Sequence, residues 1–125
     1  MMEIIYKDLT YKIIGILYDV HNKLGGGHKE VYYQRAIQLE FDKNNIQYKK
    51  ELYSPLTYDK EKIGKYYLDF LIEKKIILEI KKGERFNKND IDQVYRYLQT
   101  SNLKLGILAN FTRSKVRIKR IVNLK

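Results

Sequence analysis

"YYLDFLIEKKIILEIKK", residues 66–82, reads as two apolar strands around a short charged turn, and each strand carries an acid in its middle, Asp69 and Glu79. Burying a carboxylate costs several kcal/mol unless a partner, a cation or a metal compensates it. Side chains alternate faces along a strand, so Glu79 and Lys81 point one way while Leu78 and Ile80 point the other. If residues 73–75, "EKK", form a three-residue turn, Ile72 pairs with Ile76. That register sets Asp69 opposite Glu79, with side chains about 5 Å apart. A two-residue turn would put the acids on opposite faces, so a shared site demands an odd-numbered loop or a bulge. Carboxylates that close repel each other unless one is protonated or a cation lies between them. A divalent metal is the simplest resolution, since magnesium uses one or two carboxylates plus waters and substrate phosphate. The same trio would also arise as a salt-bridge ladder on a solvated sheet face.

Composition limits the alternatives. The chain has 125 residues, enough for one core but not two, and residues 1–125 are expected to form a single domain. It has no cysteine, so any metal must be held by oxygen or imidazole, which favours Mg2+ or Mn2+. Its longest apolar stretches, such as "IIGIL" at 13–17, are far shorter than the roughly 20 residues of a membrane span. No signal-peptide layout opens the chain. The expectation is therefore a cytoplasmic protein without a membrane partner. Lys and Arg number 25 against 15 Asp and Glu, a net charge of +10 that favours polyanions, of which nucleic acid is the commonest in cells.

Around the acid pair, apolar spacing predicts a first helix over 8–24, stopped by "GGG" at 25–27, and a second over about 28–44. Strand-like runs follow near 46–53, 55–60, 64–72 and 76–82, with Pro55 between the first two. Helical spacing returns over 87–101, and "KLGILANF" at 104–111 reads as a last strand before the basic tail "RSKVRIKRIVNLK", whose element stays open. The order predicts an α/β or α+β sandwich, helices flanking one central mixed sheet. Glu30 falls in the first turn of the second helix, where the dipole favours a carboxylate. Gln93 and Tyr97, four apart in "QVYRY", share a helix face suited to touching a substrate backbone.

Together these blocks resemble the GxxExxY family, a branch of the PD-(D/E)xK nuclease-like superfamily. The naming motif stands here as Gly27, Glu30 and Tyr33 in "GHKEVYY". The likeness extends through "LGGGHKEVYYQRAIQLE", "GKYYLDFLIEKKIILEIKK", "DQVYRYL" and "LKLGILANF", nearly the whole chain. It departs from the superfamily's name in that Leu68, not proline, precedes Asp69. His28 stands where the family favours an apolar or aromatic residue, and reads as a satisfied loop or helix-start histidine.

The resemblance implies a restriction-endonuclease-like core, with Asp69, Glu79 and Glu30 as ligands of one or two Mg2+ (or Mn2+) ions and Lys81 activating water. It also implies that Gln93 and Tyr97 in "QVYRY" position the substrate strand; Tyr33, Arg96 and Lys82 are further candidates for substrate contact. The expected activity is metal-dependent hydrolysis of phosphodiester bonds, leaving a 5′-phosphate and a 3′-hydroxyl, with DNA favoured over RNA. The alternative is a non-catalytic module that binds nucleic acid or protein on the same fold. A domain this small wraps little duplex, so a homodimer presenting two sites fits the expectation.

Overall fold

The computed structural model describes residues 4–124. Helix α1 spans Lys7–Leu24 and α2 spans Glu30–Lys43; β1 (Tyr48–Tyr58), β2 (Glu61–Ile72) and β3 (Ile76–Lys82) follow, then α3 (Lys88–Ser101), β4 (Leu105–Phe111) and β5 (Val116–Val122). The strands form one five-stranded sheet in the order β1-β2-β3-β4-β5, antiparallel except for the parallel β3–β4 pair bridged by α3. The fold is thus α+β with a mixed sheet between helices. Among the described residues, no helix is long and apolar enough to cross a membrane.

The two faces are covered unequally. The apolar stripe of α1 (Ile13, Ile16, Leu17, Val20) and that of α2 (Tyr33, Ile37, Phe41) pack on Phe70, Ile72, Leu78, Ile80, Ile107 and Phe111. The opposite face, with Leu68, Ile77, Leu108 and Ile121, is closed by Val94 and Leu98 of α3. Strands β3 and β4 are covered on both sides, which is why they read as unbroken apolar runs rather than alternating ones. Gly106 is required at the α3 contact, because a Cβ there would collide with Val94.

Two expectations need correction. The runs at 46–53 and 55–60 are one strand, since Pro55 lies in β1 on the sheet's edge, where no second neighbour needs its missing N–H. The hairpin turn is accordingly Asp59-Lys60, both with positive φ (49° and 67°) as a two-residue turn requires, and β2 begins earlier than expected, at Glu61. The basic tail, whose element the sequence leaves open, is mostly strand: Val116 and Ile118 of β5 pack towards the α1/α2 core and Ile121 towards the α3 core, while Arg117, Lys119 and Arg120 remain exposed. Lys125 lies outside the described residues.

Candidate active site

The turn at 73–75 has the expected length. Ile72 pairs with Ile76, Leu71 with Ile77 and Phe70 with Leu78, and Glu73 and Lys74 take left-handed φ values of 52° and 59°. The ladder stops one step short of the acids. Beyond it the carboxylates take over: the Asp69 amide donates to Glu79 Oε1 at 3.0 Å, and the Ile80 amide donates to Asp69 Oδ2 at 2.7 Å. β2 and β3 are therefore held at this level by side chains where backbone bonds would otherwise run.

Asp69 is also where the hairpin changes face. Leu68 and Phe70 are two apart and would share a face in a regular strand, yet Leu68 joins the α3 core and Phe70 the α1/α2 core. β1 does the same, Tyr48 packing on one core and Leu52 on the other, with Glu51 between them at a φ of 56°. The pairing of β1 and β2 skips the 51/69 level, running from Lys50↔Phe70 to Leu52↔Leu68. This paired irregularity turns Asp69 towards α2, whose Gln34 amide donates to Asp69 Oδ1 at 3.0 Å. A groove of about 150 Å³ lined by Gln34, Arg35, Gln38, Lys50 and Glu51 opens beside it.

Glu79 is only 4% exposed. Its burial, and then the neighbouring Asp69 carboxylate, push its pKa from 4.5 up to about 9. Burial likewise raises Asp69, against the hydrogen bond from Ile80 that favours its charged form. Burial and the repulsion between the two carboxyls therefore favour one proton between them at neutral pH. Burial works to lower the pKa of Lys81, but the carboxylates of Glu79, Asp90, Glu30 and Asp69 outweigh it and leave Lys81 a firm ammonium. Its Nζ lies 3.8 Å from Glu79 Oε2 and 3.7 Å from Asp90 Oδ1.

Glu30 is set beside the pair by the glycine loop. Gly25 and Gly27 supply φ values of 78° and 87°, and Gly26 lies so close to the backbone of Arg113 that any side chain would collide with it. The Tyr33 hydroxyl donates to Gly25 O at 2.7 Å and accepts from the His28 amide at 3.3 Å, while its ring stacks on Phe111 at 4.2 Å. His28 Nε2 donates to Leu24 O, as a satisfied loop histidine does. From this frame Glu30 Oε2 accepts the Lys82 amide at 3.1 Å, and Lys82 Nζ reaches Gly27 O at 3.4 Å.

The predicted residues therefore separate. Asp69, Glu79 and Lys81 gather at the fork, with Glu30 near enough to be felt electrostatically. Gln93 is half-buried on α3, three residues after Asp90. Tyr97 is half-buried against the α3 core. Tyr33, expected at the substrate, is fully buried with its hydroxyl committed to the glycine loop, so it shapes the site without facing a ligand. Arg96 lies away from the acids, in a groove with Ser54, Pro55, Leu56, Thr57 and Thr100. Sequence reasoning missed Gln34 and Asp90. Asp90 had a signal, an acid in the first turn of the helix after "EIKK", but Gln34 had none, because its reach to Asp69 depends on the face change. It also missed Asn110 on β4, paired with Lys81 and 2% exposed. Asn110 donates to Arg85 O at 2.7 Å, and its Oδ1 accepts nothing from the described residues.

Among the described residues no three of His, Asp and Glu are gathered to hold a metal ion. The expected triad is thus a pair with Glu30 to one side. The pair still fits a hard divalent cation: its donors are all carboxylate oxygen, and a cation between them would relieve the repulsion that two buried carboxylates impose on each other.

The sequence profile of the PD-(D/E)XK nuclease superfamily matches residues 7–121. No curated protein matches the chain. The fold is similar to the crystal structure of SSO0001, with a TM-score of 0.54 at 20% identity over 72% of this chain and 48% of that one. The chain thus spans about half the length of that protein, and a likeness at this identity speaks for fold alone. With a match across nearly its whole length, and acids and lysine converging at the fork of a mixed sheet, the chain belongs to the PD-(D/E)XK nuclease superfamily.

Proposed function

We propose that the protein is a nuclease of the GxxExxY branch, hydrolysing phosphodiester bonds in DNA with Mg2+ or Mn2+. The observation that carries this reading is the buried Asp69–Glu79 pair beside the Lys81 ammonium. So costly a polar set in a sheet interior is hard to explain by stability alone. A metal ion bound there supplies Lewis acidity towards the phosphate and lowers the pKa of water. Asp69 and Glu79 would hold it, each already oriented by a backbone contact across the fork, and Gln34 donates to the other oxygen of Asp69. Glu30 adds negative charge from the helix end.

Lys81 stays protonated, so it donates a hydrogen bond to the attacking water or to a phosphate oxygen and takes up no proton. The water oxygen bonds to phosphorus as the P–O3′ bond breaks. One water proton ends on O3′ and the other leaves to solvent. Gln93 and Tyr97 orient the strand, and Lys82 and the other exposed cations bind phosphates without reading sequence.

A second reading, a non-catalytic module binding nucleic acid, rests on a specific observation: backbone amides already occupy one oxygen each of Asp69, Glu79 and Glu30. The purified protein, Glu79→Ala and Asp69→Asn are incubated with labelled single-stranded, duplex and branched DNA and matching RNA, in Mg2+, Mn2+ or EDTA. Metal-dependent cutting of DNA that both variants lack is expected. Binding across the panel without cutting by any protein overturns catalysis in favour of the second reading, and cutting confined to RNA overturns the substrate class.

A further inference from the structure

Beyond Asp69 the β1–β2 hairpin continues with one face covered and the other bare. Leu52 and Leu68 lie against the α3 core, whereas no described residue between Lys49 and Asp69 joins the α1/α2 core. The bare face carries Tyr53 and Tyr67, cross-strand partners 46% and 49% exposed, whose rings meet edge to face at 5.8 Å. Lys62 Nζ lies 5.3 Å from the Tyr53 ring and Lys65 Nζ 5.9 Å from the Tyr67 ring. Tyr67 is two residues from Asp69, about 7 Å along the strand, and Arg35 and Lys50 line the groove beside Asp69 together with Glu51.

We propose that this face is a stacking platform for the unpaired bases of single-stranded nucleic acid. An exposed aromatic pair in water is costly to display and is open to any apolar partner. The lysines decide which partner. A second copy of this chain would bring the same cations face to face, whereas a nucleic-acid strand brings both ring faces for the tyrosines and phosphates for Lys62 and Lys65. Each lysine now lies over its ring; swinging to a phosphate uncovers the ring face for a base. The platform lies on the stretch of β2 that leads into Asp69, so it would fix the strand on one side of the scissile position. This inference names a substrate class for the proposed nuclease site and rests on that reading only for its location.

The test needs no cleavage. Fluorescence anisotropy in EDTA compares a labelled oligothymidylate with an abasic strand of equal length, at fixed salt, on the full chain. Tyr67→Ala is expected to weaken oligothymidylate binding about tenfold, the low end of base–aromatic stacking. It should leave the abasic strand unchanged, and Tyr67→Phe should restore binding. Equal losses on both strands mean that the face contributes charge alone and overturn the platform, as does no loss on either. A wild-type dimer that Tyr67→Ala converts to monomer, with oligothymidylate binding intact, overturns it in favour of self-association. Because binding is read without metal, an inactive nuclease leaves the result standing, and metal-dependent cutting can persist where the platform fails.

Discussion

Replacing Glu79 by glutamine should stabilise the metal-free protein. The side chain ionises near 4.5 when unfolded and near 9 when folded, because burial and Asp69 both oppose its charge. Between those values the folded state holds a proton that the unfolded state has released, so stability falls as pH rises through that window. At 1.36 kcal/mol per pH unit, the loss from pH 5 to pH 7 is about 3 kcal/mol, or about 10 °C in melting temperature for a domain of this size. Glutamine keeps an oxygen for the Asp69 amide and has no charge to neutralise. In EDTA, calorimetric melts from pH 5 to pH 8 should slope steeply downward for wild type and gently for Glu79→Gln, the curves crossing as pH rises. Excess Mn2+ at pH 8 should raise the wild-type melting temperature and leave the variant's unmoved. A flat wild-type profile, or one parallel to the variant's, would refute the claim that the buried pair retains a proton.

Asp90→Asn removes one of two carboxylates holding Lys81, so cleavage should fall about tenfold with little change in oligonucleotide affinity; an unchanged rate would show that Asp90 does not position the lysine. Tyr33→Phe leaves the Gly25 carbonyl without its donor inside the loop, a loss of about 1–2 kcal/mol measured by denaturant titration, with activity falling because Glu30 is no longer held. Loss of stability without loss of activity would separate the loop from the site. Gly106→Ala drives a methyl group into Val94 and should cost about 1–3 kcal/mol through the displacement of α3; a neutral result would mean that α3 can move aside freely.

How much of this was legible in the sequence varied with the range of the forces involved. The length of the turn and the pairing next to it were readable because parity is local, but that the ladder ends at Phe70↔Leu78 and the carboxylates take over beyond it was not. The helices were readable because apolar spacing and the glycine stop lie within single segments. Pro55 misled, since its effect on a strand depends on whether that strand has one neighbour or two, and edge position is a property of the assembled sheet. The tail stayed open because its apolar residues serve two faces, Val116 and Ile118 one core and Ile121 the other, so no period of two runs through the cations, and only β4 alongside gives it a partner. Gln34 was invisible for a stronger reason. Its contact with Asp69 requires both strands to change face at one level, and nothing in "KEL" or "LDF" announces that.

The fork between β2 and β3 has a consequence for how the molecule assembles. Asp69, Glu79 and Lys81 come from one local hairpin, whereas Glu30 and Gln34 arrive from α2 and the parallel partner β4 only after the α3 crossover. Hairpins close in microseconds and long-range pairing follows more slowly. On that order of events the two acids would meet while the chain around them is still open to water, which screens their repulsion, and burial would come afterwards. The sheet closes over a charge problem that was settled when it was cheap.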